Sequence, residues 1–297
     1  MNETTGGDTT MRVIYVPVAD RPECAVALKT AFSLGHSVGA SVIGCHIRPH
    51  RDSPVALSSG FYQFDQNGNE TEWQVAAKPE NGKKAQEAAG VLFSRLAEHH
   101  GYKIFARPRA GPGAVWMEKT GAPNKVIGIM GPVADLLVVS RPARNGGGVA
   151  RMFLSAALLR SSRPVLVLPQ NGKTAVGKNI CIAWNQSVEA ARAVAAAMPL
   201  LLKADTVSIV SSGSESQFGP SSSQLATYLK YWGIKAERFT RKGKDEQKEV
   251  LEMYRASESD LLVMGAYSRS RMSRLVFGGL TQHMLEKASI PVFMLHT

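Results

Sequence analysis

The chain has 297 residues, 44% hydrophobic and 20% charged, which suits two globular domains with cores of their own and excludes wholesale disorder, collagen and coiled coil. Its net charge of +11, from 35 Lys+Arg against 24 Asp+Glu, suits an anionic partner (nucleotide, nucleic acid or membrane surface) or solubility alone. The excess is spread over both halves, with no basic tail. The longest apolar run, Ala193 to Leu202, contains Pro199 and is too short for a membrane span. Cys24, Cys45 and Cys181 have neither disulfide-scaffold nor metal spacing and read as buried thiols.

In chain order, residues 1–10 are polar, lack the pattern of a secretory signal and read as a disordered leader; the cysteine usage makes the cytoplasm the expected compartment. Strands are expected at about 12–18, 40–47, 103–107, 135–140 and 164–169. They are expected again at about 179–184, 205–211, 234–239, 260–265 and 291–296. These are continuous apolar runs, as in a parallel sheet buried on both faces, and helix-like segments alternate with them. Asp20-Arg-Pro-Glu23 has capping-box spacing, and Ser187 can cap the matching helix of the second half. Residues 48–82 carry few periodic signals and read as an exposed insertion. The polar, turn-rich stretch Gln170 to Lys178 reads as a linker.

The two halves repeat. Asp135-Leu-Leu-Val-Val matches Asp260-Leu-Leu-Val-Met, and Arg163-Pro-Val-Leu-Val-Leu matches Ile290-Pro-Val-Phe-Met-Leu. Gly-Tyr-Lys at 101–103 answers Gly-Ile-Lys at 233–235. The fold class is therefore α/β: two tandem doubly wound parallel-sheet domains of Rossmann-like type, at 11–170 and 178–297.

In such sheets, ligands bind beyond the carboxyl ends of the strands. Two loops of the second half lie there: Ala183 to Ser187, and Gly265 to Thr281, which leads into a helix. Glycines at a helix start let backbone N–H groups approach a phosphate. Arg269, Arg271 and Arg274 add charge, and Ser268, Ser270, Ser273 and Thr281 add hydroxyls. Two readings stand here: a phosphate site, or glycines that permit close packing beside a solvated arginine loop. Asp135 and Asp260 begin strands at the opposite end and read as structural. The seven His show no ligand pattern, and no Ser-His-Asp order, HExxH or Walker A motif is present. No nucleophile or general base can be nominated.

Residues 260–296, and more loosely both halves, resemble the universal stress protein family. The family's phosphate- and ribose-binding signature is G-x2-G-x9-G-[Ser/Thr]. Gly265 and Gly278 match its first and third glycines, while Ser268 replaces the second. Gly279 stands where Ser/Thr is usual, and Thr281 lies two residues on. Asn185 takes the place of the family's Asp near the adenosine, and Val210 would flank the base. The resemblance thus implies a universal stress-type binding or regulatory protein. It would hold at most one adenine nucleotide, ATP or AMP (with Mg in the case of ATP). The expected site is Ala183, Trp184, Asn185, Val210, Gly265, Ser268, Arg269, Gly278, Gly279 and Thr281. Any turnover would be a weak ATPase at most. In the first half Ala19, Ser140 and Ala143 replace the signature residues, and Arg151, Met152 and Phe153 fall where the third glycine belongs, so no nucleotide site is expected there. The alternative is an interaction module with both sites degenerate. The resemblance also implies pairing through the last strand of each domain, making a pseudo-dimer within one chain. A homodimer and unidentified protein partners remain open, and nucleic acid and membrane are not expected partners.

Overall fold

A computed structural model describes residues 11–19, 23–48, 79–142, 148–170, 175–213, 215, 219–243, 245–266 and 279–296, with backbone alone at 79–86 and 148–149. The first half contains strands β1 (Val13–Val18), β2 (Ser41–Arg48), β3 (Ala114–Thr120), β4 (Leu136–Ser140) and β5 (Val165–Leu168). Its helices are α1 (Cys24–Val38), α2 (Pro79–His99), α3 (Pro123–Met130) and α4 (Gly148–Arg160). The second half contains strands β6 (Asn179–Ala183), β7 (Thr206–Ser212), β8 (Ala236–Arg241), β9 (Leu261–Ala266) and β10 (Val292–His296). Its helices are α5 (Val188–Leu201), α6 (Ser222–Tyr231), α7 (Glu246–Ala256) and α8 (Gly279–Glu286).

All ten strands form one sheet in the order β3-β2-β1-β4-β5-β10-β9-β6-β7-β8. Each half is a parallel five-stranded sheet of Rossmann-like type, and the two meet at an antiparallel seam where Val292, Phe293 and Met294 face Val167, Leu166 and Val165. Antiparallel contact between last strands gives the halves a two-fold relation, the pseudo-dimer expected from sequence.

The chain folds this way because its central strands are apolar on both faces. Leu136, Leu137, Val165 to Leu168, Leu261 to Val263 and Val292 to Met294 are all fully buried between helical layers. Each such side chain contributes about 1.5–3 kcal/mol on leaving water. The edge strands differ. In β8, Glu237, Arg238, Thr240 and Arg241 are exposed, and charge there discourages pairing with another chain.

The two repeated aspartates have one structural task. At the amino edge of the sheet, Asp135 accepts hydrogen bonds from the backbone N–H of Arg12 and Val13 at 2.8 and 2.9 Å. Asp260 accepts from Gly177, Lys178 and Asn179 at 2.7, 3.1 and 3.3 Å. Each carboxylate fastens the start of its half's first strand.

Three expectations are corrected. The third strand of the first half is 114–120, not 103–107; Lys103 to Phe105 only bridge alongside Ala114. Gly101 and Gly233 both end their helices at positive φ, +71° and +75°, which made the following residues look equivalent. After Gly233 the chain enters β8 almost at once, whereas after Tyr102 it turns back before Ala114 and Val115 bury themselves beside β2. The helix expected from Asp20 starts at Cys24, with Glu23 as an N-cap whose side chain makes no capping hydrogen bond; Asp20 itself lies outside the described residues. The expected insertion 48–82 overlaps the end of β2 at Arg48 and the start of α2 at Pro79, and its middle, 49–78, lies outside them.

Candidate nucleotide site of the second half

The order β9-β6-β7 reverses direction at β6, so the connections leaving β6 and β9 diverge to opposite faces. A crevice at the carboxyl ends of those strands is the usual ligand position in such a sheet. Gly265 stands near the carboxyl end of β9. A Cβ there would lie 2.5 Å from the backbone nitrogen of Ala190 and 2.8 Å from the Glu189 Cβ. Glycine is thus required for β9 to approach the first turn of α5. That turn is capped as expected, Ser187 Oγ accepting from Ala190 N at 3.1 Å.

Of the other residues expected here, Ala183 is buried at the end of β6, and Val210 lies inside the sheet with its carbonyl accepting from Trp184 N. Trp184 is buried, its indole N–H donating to the Pro220 carbonyl at 2.8 Å. Asn185 is exposed, and its Oδ1 accepts from Ser187 N at 3.2 Å. Gly279 is exposed at the start of α8, whereas Thr281, expected to offer a hydroxyl, is buried. Ser268, Arg269 and Gly278 lie outside the described residues, as do Arg271 and Arg274.

Several residues that motif reading missed shape this edge. Gln186 has a left-handed backbone (φ +61°) and donates from Nε2 to the Gly219 carbonyl at 2.9 Å. Together with Trp184 it ties the β7–α6 connection onto the loop after β6. Two carboxylates are buried here, Glu189 and Glu249, and Ser212 Oγ donates to Glu249 at 2.5 Å. Glu215 is held below the usual carboxylate range by the hydroxyl and backbone N–H of Ser222. His296, at the end of β10 beside Ala266, is pushed down by burial and pulled back partly by Glu189. The polar chemistry of this edge therefore combines exposed backbone at Gly279 with buried acids nearer the sheet.

The corresponding edge of the first half is built differently. Ser140, in the place of Gly265, donates its hydroxyl to the Glu23 carbonyl at 2.6 Å. Met152 and Phe153 are buried in α4. Side chains thus occupy that edge. Among the described residues no cluster of His, Cys, Asp and Glu could hold a metal ion, and no helix is long and apolar enough to cross a membrane. The three cysteines form no disulfide and are buried.

A tandem α/β fold with its crevice at a strand-order reversal defines the class. Residues 177–296 match the model of the Universal stress protein family, and the second half of the chain belongs to that family. Across the whole chain the fold is similar to that of a universal stress protein from Archaeoglobus fulgidus DSM 4304. The TM-score is 0.66 at 15% identity, covering 95% of this chain and 97% of that one. A functionally unknown protein from Pseudomonas aeruginosa PAO1 is similar at TM-score 0.58 and 14% identity, covering 96% and 92%. At such identities the likeness establishes the fold. No curated protein matches the chain in sequence.

Proposed function

We propose that this chain is a binding or regulatory protein of the universal stress type, with at most one adenine-nucleotide site, for ATP or AMP, in the second half. The observation that carries this is the strand-order reversal at β6, with Gly265 near the carboxyl end of β9 against the first turn of α5 and α8 the next helix along the chain. The base would lie between the loop after β6 and the end of β7, and the phosphates toward Gly278 and Gly279, where Arg269 and Ser268 are near in sequence. Mg would accompany ATP.

A second reading is a protein-interaction module that binds no nucleotide. It is favoured by the burial of Thr281, the use of the Asn185 acceptor within its own turn, and the fact that α5 alone suffices to require glycine at 265. Mass spectrometry of small molecules released from freshly purified protein separates the two. Stoichiometric adenine nucleotide supports the first reading, and its absence, together with no binding of added nucleotide, supports the second.

A further inference from the structure

Arg141 follows β4 in the first half, yet its guanidinium ends in the second. Nε donates to the Leu285 carbonyl at 3.1 Å, and Nη2 to those of Met284 and Ile290 at 2.6 and 3.3 Å. Nη1 donates to the carbonyl of Ala288. The residue is 4% exposed, and burial lowers its pKa to about 10. The four acceptors are carbonyls of the last turn of α8 and of the connection that follows. Those of Met284 and Leu285 are groups a helix end leaves without intrahelical partners, at the negative end of its dipole. Arg141 is itself fixed: its N–H donates to Leu168 O at 2.7 Å, and its carbonyl accepts from Gln170 Nε2 at 3.3 Å.

The repeat shows that this contact is one-way. In the first half, Ser161 follows α4 and donates its hydroxyl to the Ala157 carbonyl at 2.5 Å, so that helix end is capped from within. Its counterpart is Ala288, which has no hydroxyl and whose carbonyl Arg141 takes. The counterpart of Arg141 is Ala266, fully buried and without a side-chain donor. The second half has lost its own cap, and the first half supplies one.

We infer that Arg141 is a positioning residue through which the first half holds α8, the helix that follows the proposed nucleotide loop of the second. The helix has only two turns, so fixing its carboxyl end at Met284 and Leu285 also fixes where Gly279 presents its backbone. The consequence for ligand affinity rests on the proposed nucleotide site; the clamp itself does not.

The test compares full-length wild type with Arg141→Met, Arg141→Lys and Val16→Ala, the last a core truncation in β1 far from α8. Amide hydrogen exchange and calorimetric titration with AMP are the readouts. In Arg141→Met, exchange at residues 281–290 rises at least about tenfold while β1 and α1 are unchanged, and the AMP Kd rises about tenfold. Arg141→Lys lies between, because a lysine offers charge without the planar fork. Val16→Ala moves neither readout. Unchanged exchange and Kd in Arg141→Met overturn the inference, as does Val16→Ala moving both to the same extent. If the methionine variant does not fold, the lysine variant decides on the same two readouts. If wild type binds no AMP, the nucleotide reading fails, and the exchange comparison still decides the clamp.

Discussion

One side chain near the carboxyl end of each half's fourth strand decides how the neighbouring helix meets the sheet. Ser140 and Gly265 occupy equivalent places. The serine spends its hydroxyl on the Glu23 carbonyl, while the glycine lets α5 approach to a distance no Cβ permits. Gly265→Ala is expected to destabilise the second half by about 1–3 kcal/mol, because the new methyl meets backbone rather than a flexible side-chain tip. Ser140→Gly should cost only about 1 kcal/mol, the worth of one hydrogen bond. Urea unfolding of both variants checks the asymmetry, and equal losses would contradict it. Asp260→Ala removes an acceptor shared by three backbone donors and should cost at least about 2 kcal/mol in the same assay. Residues of this kind differ in how legible they are. Gly265 was found through its spacing to Gly278, and the two aspartates through the repeat. Arg141 has no such signal. Its acceptors lie more than 140 residues away, and a lone arginine after a strand reads like any surface charge.

Elements were legible where burial imposes a pattern. The continuous apolar runs of β1, β4, β5, β6, β9 and β10 can only be central strands, and those strands lie where the sequence puts them. The third strand of the first half failed because it is an edge: Met117 to Thr120 are only partly buried or exposed, so no apolar run marks it. The carboxyl ends of α1 and α2 carry a pH prediction. His100 stacks on Phe32 with ring centroids 6.1 Å apart, and His36 and His99 lie at 6.1 and 4.9 Å from it. Burial, then its two histidine neighbours, hold its pKa below the ordinary 6.5. The unfolded chain therefore takes up more protons as pH falls through 6.5. The stability contributed by this group is whole above that pH and lost below it. The urea midpoint is expected to be lower at about pH 5.5 than at about pH 7.5, and the difference to shrink in His100→Gln. A variant with the same pH dependence as wild type would contradict the assignment.

At the scale of the molecule, one sheet crosses two halves through a seam of three residue pairs, with Arg141 bonding across it. Phe293 is fully buried at that seam, and Phe293→Ala is expected to cost about 3–5 kcal/mol. It should also separate the unfolding of the halves into two transitions by fluorescence and calorimetry; a single coincident transition would contradict this view of the seam. The tandem arrangement was legible because the repeat is written in sequence. The ligand was less so, because the residues that should grip a phosphate depart from their pattern at Ser268, Gly279 and Asn185. Isothermal titration of the full chain with AMP and with ATP plus Mg, repeated on Gly278→Asp, tests the central claim most directly. One nucleotide bound per chain, abolished by the substitution, is the predicted result. No heat of binding at millimolar ligand, or two sites per chain, would contradict it.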